Sequence, residues 1–347
     1  MNFEYRSFPN QVYFGKGMLS QLPKVVKEFP TLLVLAGKRV TEIVDDLEKE
    51  LTHNKLVRFT KIIQHVPQSV VDEANKIAQE VKPDAYLALG GGSAIGLAKA
   101  LALELERPII AVPTTFAGSE QTNIYGISAD SGKRTGRDDR VLPKVVFYDS
   151  NLTASMPKRL AVTSAMNAMA HLMEALYAPN RNPVTSQSAI QGMTALKKGL
   201  ELLVDEDALT PEANEHLQLG AYLGGKCLCE VSMALHHKAA HVLGGSFGME
   251  HSKVHTVLQS YVLAYQWPYL SDSIQTEFKQ ALSSENPAAT LKSLAANAGA
   301  PTNLHSIGFR KEDIESAATI MVANPYANIT PLSKEGLKRM LQEAYNG

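Results

Sequence analysis

The chain has 347 residues, which is more than one hydrophobic core usually serves, so we predict two domains. Hydrophobic residues make up 45% of the chain, charged residues 20%, and the formal net charge is −1. Such a balance gives no electrostatic attraction to nucleic acid or to a membrane surface, and we expect neither as a partner. The two cysteines, Cys227 and Cys229, are poorly spaced for a disulfide, which favours a reduced, cytoplasmic setting.

Short apolar runs alternate with amphipathic stretches through the first 150 residues. We predict strands at TLLVLAG (31–37), KLVRFTKII (55–63), AYLALGGGS (85–93), PIIAVPTT (108–115) and VVFYD, with helices between them. This order predicts parallel βαβ units in a sheet that is covered on both faces. The N-terminal segment FEYRSFPNQVYFG is predicted to form a hairpin beside that sheet.

The β signal ends near residue 155, and helical patterns follow. They cover 158–177, 183–204, 211–229, 233–244, 253–265, 271–283, 287–298, 310–322 and 333–345. The predicted fold class is therefore an α/β dinucleotide-binding domain (1–154) followed by an all-α domain (155–347). We expect the active site in the cleft between these two domains.

A glycine-rich turn follows one predicted strand and opens the next helix. Gly91, Gly92 and Ser93 would let backbone N–H groups approach a pyrophosphate at the positive end of the helix dipole. The turn departs from the G-x-G-x-x-G fingerprint, so a tight strand-to-helix turn without a ligand is an equal alternative.

Two further loops are predicted at the same edge of the sheet, because parallel strands end on one side. Thr114, Thr115 and Ser119 follow the next strand, although Ser119 could instead cap a helix. Gly37 and Lys38 follow the first strand of the sheet, where Lys38 could accept a 2′-phosphate or remain solvated. We therefore predict NADH as the cofactor, with NADPH also accepted.

Four histidines and one asparagine form the second candidate site. Asn167 and His171 are four residues apart on one predicted helix, His237 and His241 are four apart on another, and His251 follows a glycine-rich turn. Side chains at this spacing lie side by side on a helix. Imidazoles can donate a proton, stabilise an anion or bind a metal, and a purely structural role is the alternative.

At these residues the chain resembles the iron-containing (group III) alcohol dehydrogenase superfamily, which also includes glycerol dehydrogenase and, by fold, dehydroquinate synthase. The resemblance covers nearly the whole chain, through GGGSAIGLAKA, PTTFAGSE, NAMAHLMEALY and HHKAAHVLGGSFGMEH. In metal-dependent members an aspartate and three histidines hold Fe²⁺ or Zn²⁺. The matching positions here are Asn167, His171, His237 and His251, and His241 matches a further active-site histidine.

Two departures place the resemblance in the maleylacetate reductase branch: the metal-binding aspartate is Asn167, and the acid that usually follows GGGS is Gly96. That branch reduces the carbon–carbon double bond of maleylacetate to 3-oxoadipate with NADH or NADPH, in the catabolism of resorcinol-type and chlorinated aromatics. The resemblance further implies that Lys144 contacts the cofactor ribose. Because a neutral amide replaces a carboxylate, we expect no obligatory metal.

A small dicarboxylate is therefore the expected substrate, and a homodimer the expected assembly. The basic residues Lys133, Arg134, Arg137 and Arg140 could bind the substrate carboxylates, or form a solvated loop. Three alternatives remain open: a metal-dependent alcohol or polyol dehydrogenase, a dehydroquinate-synthase-like lyase, and a nucleotide-binding sensor without catalysis.

Overall fold

The computed structural model describes residues 3–129 and 132–347, which form two compact units. One unit is Ser7–Ser155. The other is Met156–Gly347, together with the described residues up to Arg6. No helix in the described ranges is long and apolar enough to cross a membrane.

The first unit contains the strands of the fold. In chain order they are β1 (Gln11–Phe14), β2 (Thr31–Ala36), β3 (Lys55–Phe59), β4 (Ala85–Gly90), β5 (Ile109–Pro113), β6 (Ile124–Ala129), β7 (Gly132–Arg137) and β8 (Val145–Tyr148). Six of them form a parallel sheet in the order β1-β8-β5-β4-β2-β3, and β6 and β7 form a separate antiparallel ribbon.

Helices cover both faces of the parallel sheet, as the sequence predicts. They are α1 (Leu22–Val26), α2 (Thr41–Glu50), α3 (Gln68–Val81), α4 (Gly92–Glu104) and α5 (Ser150–Thr153). One face of the sheet packs against α1 and α2, and α3 and α4 pack on β2, β4 and β5. Strands β2, β4 and β5 are continuous apolar runs because both of their faces are buried.

The predicted N-terminal hairpin is wrong. The segment contributes one strand, β1, which pairs in parallel with β8 at the edge of the sheet. The aromatic pair Tyr13 and Phe147 stacks across these two strands, with ring centroids 4.6 Å apart. A partner strand from far along the sequence cannot be found by a local pattern. The β6–β7 ribbon was not predicted either, because its polar, glycine-containing residues lack a clear apolar alternation.

The second unit is helical, which confirms the predicted fold class. Its helices are α6 (Lys158–Tyr177), α7 (Pro183–Asp205), α8 (Pro211–Glu230), α9 (Leu235–Phe247), α10 (His251–Gln266), α11 (Asp272–Leu282), α12 (Pro287–Asn297), α13 (Ile314–Ala323) and α14 (Lys334–Asn346). Helix α6 is the core element: it is buried along most of its length and packs against α7, α8 and α10. Both cysteines are buried in α8.

Candidate functional site

The glycine turn lies where an open parallel sheet usually binds its ligand. Strand β2 has β3 on one side and β4 on the other, so the chain reverses its direction of travel through the sheet between β2 and β4. Gly37 and Lys38 follow β2, and Gly91 follows β4. Ligands bind in the crevice outside the carboxyl ends of strands at such a switch point.

The loops after β4 and β5 touch one another. The backbone N–H of Thr114 donates to the carbonyl of Gly90 at 3.1 Å. A methyl group at Gly91 would lie 2.9 Å from Cγ2 of Thr115, closer than two such carbons can pack. The close approach of Thr115 therefore explains why position 91 is a glycine, without any ligand. It also places the two predicted cofactor loops side by side.

Ser119 does not cap a helix, which was the alternative to a binding role. It is the first residue of a short 3-10 helix whose cap is Gly118. Its Oγ lies close to Gly92, the exposed first residue of α4: a Cβ atom added to Gly92 would be 3.8 Å from it. Among the described residues this buried hydroxyl has no hydrogen-bond partner, and no side chain caps α4. Together with Ser93 in the first turn of α4, Ser119 could bind an anion at the helix N-terminus.

A buried lysine holds the loop that carries Ser119. The Lys99 ammonium is 1% exposed and donates to the carbonyl oxygens of Ser119, Thr122 and Ile124 at 2.7, 2.7 and 2.9 Å, and to the Thr122 hydroxyl at 2.9 Å. Burying a cation is tolerable only when its donors are satisfied. Lys99 therefore fixes the position of the loop from helix α4. The sequence analysis did not identify this residue.

Glycine at position 96 has a steric cause. A methyl group there would lie 2.9 Å from Cγ2 of Val66. Val66 has a φ of 50°, a left-handed conformation that is rare for a β-branched residue. Its carbonyl accepts from the N–H of Ser128, and the Ser128 hydroxyl donates to the carbonyl of His65. These bonds to β6 hold the Val66 backbone in a place that leaves no room for a side chain at position 96.

Lys144 lies at the wrong edge of the sheet for a ribose contact. It precedes β8, and its N–H donates to the carbonyl of Ile109, the first residue of β5. Because β5 and β8 are parallel, Lys144 is at the amino edge, whereas Thr114 follows the carboxyl end of β5. The two edges are about 15 Å apart for a five-residue strand. We therefore withdraw Lys144 from the predicted cofactor residues.

The basic segment is partly neutralised. Arg140 forms an ion pair with Asp138 at 2.7 Å, and Arg137 donates to Asn123 at 3.3 Å. Arg134 is exposed on β7, and the side chain of Lys133 lies outside the described residues. Of the basic residues proposed from the sequence for the substrate carboxylates, Arg140 is therefore the least suitable.

The second candidate site is a cluster of six imidazoles in the helical unit. Helix α6 supplies His171, α9 supplies His236, His237 and His241, and α10 supplies His251 and His255. Ring centroids of His171 and His237 lie 5.1 Å apart, and those of His241 and His251 lie 6.0 Å apart. The four histidines predicted from the sequence are thus brought together. His255 lies at the centre, with its ring 4.3–6.4 Å from those of four others.

The cluster has a buried and an exposed layer. His171, His236, His237 and His255 are at most 4% exposed, whereas His241 and His251 are exposed. Burial lowers the pKa of His236 and His237 to about 3 and lowers that of His171 and His255 well below its usual value. The buried imidazoles are therefore neutral near pH 7, since an unpaired buried charge is costly.

A buried carboxylate organises the start of α9. Glu174 is fully buried on α6, three residues after His171. Its Oε2 accepts from Nδ1 of His237 at 2.6 Å and from the N–H of Ala234 at 3.0 Å, and its Oε1 accepts from the N–H of His236 at 2.6 Å. Burial raises the pKa of Glu174, and these donors oppose that rise. The sequence analysis did not select Glu174.

Two more contacts order the remaining rings. Nε2 of His236 lies 2.8 Å from Nδ1 of His255, and Nδ1 of His241 lies 2.8 Å from the Tyr326 hydroxyl. Neither His236 nor Tyr326 is among the residues selected from the sequence. Adjacent residues on a helix point in different directions, so the position of His236 next to His237 does not predict that both join one cluster. The contact between His236 and His255 is seen only in the folded structure.

The residues at the family's metal positions form a weaker donor set than that of metal-dependent members, because no carboxylate is among them. Asn167 supplies a neutral amide where metal-dependent members have a carboxylate. The carboxylate of Glu174 already accepts from four donors, which are the N–H groups of Ala234 and His236, Nδ1 of His237 and the Tyr177 hydroxyl. Within residues 3–129 and 132–347, no group of three or more His, Cys, Asp or Glu side chains is placed to hold a metal ion. We therefore derive no step through a metal.

The chain belongs to the iron-containing alcohol dehydrogenase family. The model of iron-containing alcohol dehydrogenases matches residues 9–150, and that of the C-terminal domain of the Fe-containing alcohol dehydrogenase family matches residues 161–345. The two matches together span both units of the structure.

Several of the similar proteins are maleylacetate reductases. The maleylacetate reductase of Delftia acidovorans is 40% identical over 350 residues, which cover 100% of this chain and 99% of the relative. The crystal structures of maleylacetate reductases from Agrobacterium tumefaciens and Rhizobium sp. strain MTP-10005 each superpose with a TM-score of 0.95. They are 33% and 34% identical, and each match covers 100% of this chain and 99% of the other.

Proposed function

We propose that this protein is an NAD(P)H-dependent reductase that converts maleylacetate to 3-oxoadipate in the catabolism of aromatic compounds. The observation that carries the proposal is the cluster of imidazoles on α6, α9 and α10, together with Asn167, which lies one helical turn before His171 on α6 where metal-dependent members have an aspartate. The full-length similarity to maleylacetate reductases supports the same substrate.

The reaction needs a hydride, a site for negative charge and a proton. When bound, the reduced nicotinamide would supply a hydride to the alkene carbon β to the ketone, and the electron pair of the double bond would then lie on the ketone oxygen as an enolate. A proton must reach the carbon next to the carbonyl to give the saturated ketone. Hydrogen-bond donors aimed at the developing oxyanion, and an acid near the carbon, lower the two barriers.

The histidines would supply these groups. We propose that His237 and His241 stabilise the enolate, and that His171 or His251 assists or donates the proton. His241 and His251 are the exposed members, so solvent and a bound molecule can reach their rings. Asn167 contributes an amide without adding a negative charge that would repel a dianionic substrate. The predicted position of this site in the cleft between the domains stays a prediction.

The cofactor would bind at the carboxyl edge of the parallel sheet. We propose Gly91, Gly92 and Ser93 for the pyrophosphate, and Thr114, Thr115 and Ser119 for the nicotinamide half. Gly37 and Lys38 lie at the switch point after β2, where an adenosine ribose would lie. Because Lys38 is exposed and basic, we propose that NADPH is accepted as well as NADH. We propose a metal-independent reaction and a homodimeric assembly.

One assay tests the proposed function against the alternatives. Purified protein is mixed with NADH or NADPH and maleylacetate, and the absorbance of the reduced nicotinamide is followed. Steady consumption that depends on maleylacetate, with no alcohol oxidation by NAD⁺, is the expected result. Alcohol oxidation that requires added Fe²⁺ or Zn²⁺, without maleylacetate turnover, would instead identify an alcohol dehydrogenase. Nucleotide binding without turnover of either substrate would identify a sensor.

A further inference from the structure

Glu174 makes two kinds of contact with one helix terminus. Helix α9 begins at Leu235 after Ala234, which provides no side-chain cap. The Glu174 carboxylate takes the place of a cap, because it accepts from the backbone N–H groups of Ala234 and His236. The same carboxylate accepts from Nδ1 of His237. One side chain from α6 therefore fixes both the start of α9 and the ring of its third residue.

The contact with Nδ1 decides which nitrogen of His237 can react. An ionised carboxylate only accepts hydrogen bonds, so the proton of the neutral His237 ring must be on Nδ1. Nε2 of His237 is buried and has no hydrogen-bond partner in the part of the chain that the structure describes. It is the nitrogen that remains for a bound molecule, and its ring faces that of His171 at 5.1 Å.

We infer that Glu174 is a positioning residue for His237. By holding one proton on Nδ1, it leaves the Nε2 lone pair of His237 to take up a second proton. The resulting imidazolium, whose charge the Glu174 carboxylate balances, then donates from Nε2 to the enolate oxygen. If Glu174 only capped α9, it would not need to contact the ring of His237. If His237 were only a packing residue, it would not need a carboxylate at Nδ1. The inference rests on the proposed function only for its effect on turnover, since the tautomer of His237 is a property of the resting protein.

The first test is the tautomer itself. Protein labelled with ¹⁵N in its histidines is compared by NMR with the variant His237→Ala, which identifies the His237 signals by their loss. We expect wild-type His237 to carry a proton on Nδ1 and a lone pair on Nε2 near pH 7. A proton on Nε2 with a lone pair on Nδ1 overturns the inference, whether or not the protein reduces maleylacetate. The measurement is made on the wild-type protein, so it does not depend on whether a variant at Glu174 folds.

The second test separates positioning from capping. Glu174→Gln keeps the side-chain shape, but its amide can donate to Nδ1 and so favour the other tautomer. We expect kcat for maleylacetate to fall about 100-fold, with little change in the KM for NADH. In the background of His237→Ala, Glu174→Gln should lower kcat no further, because the group through which it acts is gone. An equal further loss in that background would mean that Glu174 only caps α9.

Glu230 provides the matched control. Its side chain is 1% exposed in the same unit, and its Oε1 accepts from the Tyr5 hydroxyl at 3.0 Å and from Lys226 at 2.6 Å. Glu230→Gln therefore removes a buried carboxylate without a histidine contact. We expect its kcat to stay within about twofold of wild type and its His237 tautomer to be unchanged. A wild-type tautomer and unchanged kcat in Glu174→Gln would refute the inference.

Discussion

The hydroxyl of Tyr326 lies 2.8 Å from Nδ1 of His241, one of the two exposed imidazoles of the cluster. The contact orients a ring that has solvent on one side and His237 on the other, with the His237 centroid 6.1 Å away. We predict that Tyr326→Phe lowers kcat for maleylacetate about fivefold to tenfold, since a lost hydrogen bond is worth about 1 kcal/mol. Steady-state kinetics would check this, and a kcat equal to that of wild type would contradict it.

Gly91→Ala is predicted to weaken cofactor binding. The added methyl group would lie 2.9 Å from Cγ2 of Thr115, so the loop after β5 must move. Overpacking of this kind costs about 1–3 kcal/mol, which corresponds to about a 5- to 100-fold rise in the Kd for NADH. Fluorescence titration with NADH measures the change.

Gly245→Ala is the control for that substitution. Gly245 lies on α9, and no described atom is within 4 Å of the position of its added methyl group. The exchange of glycine for alanine inside a helix stabilises it by about 1 kcal/mol. We therefore expect a slightly higher Tm and an unchanged Kd for NADH. If Gly91→Ala binds NADH as tightly as this control, then the loop contact does not shape the cofactor site.

The sequence predicted the two-part fold well because the signals are local. The continuous apolar run of β4 predicts a strand that is buried on both faces. The helical spacing of apolar residues predicts the bounds of α6 and its neighbours nearly to the residue. The wrong hairpin and the missed ribbon have different causes. Pairing between β1 and β8 is a long-range contact, and the polar sequence of β7 carries no period that distinguishes a strand from a loop.

The candidate site was predictable in part. Histidines four residues apart indicate a shared helix face, and the structure brings His171, His237, His241 and His251 together. Glu174, His236 and His255 join them through contacts between three different helices, which helical spacing does not encode. Lys144 shows the opposite error. Its position was transferred by resemblance, and the direction of β8 places it at the far edge of the sheet.

Removal of metal should leave turnover intact. We predict that protein dialysed against a chelator keeps its maleylacetate reductase activity within about twofold, because neutral donors hold a divalent cation less tightly than a set with a carboxylate. Activity before and after dialysis, with the metal content measured in the same samples, tests this. Complete loss of activity with recovery on adding Fe²⁺ or Zn²⁺ would reverse the proposal.

Asn167→Asp should move the site towards metal binding. The substitution is isosteric and restores the carboxylate of metal-dependent relatives, so we expect tighter Zn²⁺ binding by calorimetry. The same charge repels one carboxylate of the substrate by about 3 kcal/mol at 6 Å and an effective dielectric constant of 20, or about 100-fold in kcat/KM. Asn167→Ala, which adds no charge, should gain no zinc affinity. Equal zinc affinity in the Asp and Ala variants would show that charge at position 167 is not decisive.

The buried imidazoles should make the fold sensitive to mild acid. Burial lowers the pKa values of His171, His236, His237 and His255, so below pH 6.5 the unfolded chain binds protons that the folded protein does not. Stability therefore falls as the pH decreases from 6.5 towards about 3, where His236 and His237 would protonate in the folded protein. Burial raises the pKa of Glu120 and Glu174, and these two groups act in the opposite sense.

Between pH 7 and pH 5.5 the unfolded imidazoles are only partly protonated, so each of the four histidines contributes about 0.8 kcal/mol of unfolding free energy per pH unit. The four together give about 3 kcal/mol per pH unit, less the opposing contribution of the two glutamates. Urea unfolding at pH 7 and at pH 5.5 measures the slope. His255→Gln removes one of the four groups, so its slope should be lower by about 0.8 kcal/mol per pH unit. A wild-type stability that is constant over this interval would mean that the buried histidines take up protons in the folded state, through water that reaches the cluster.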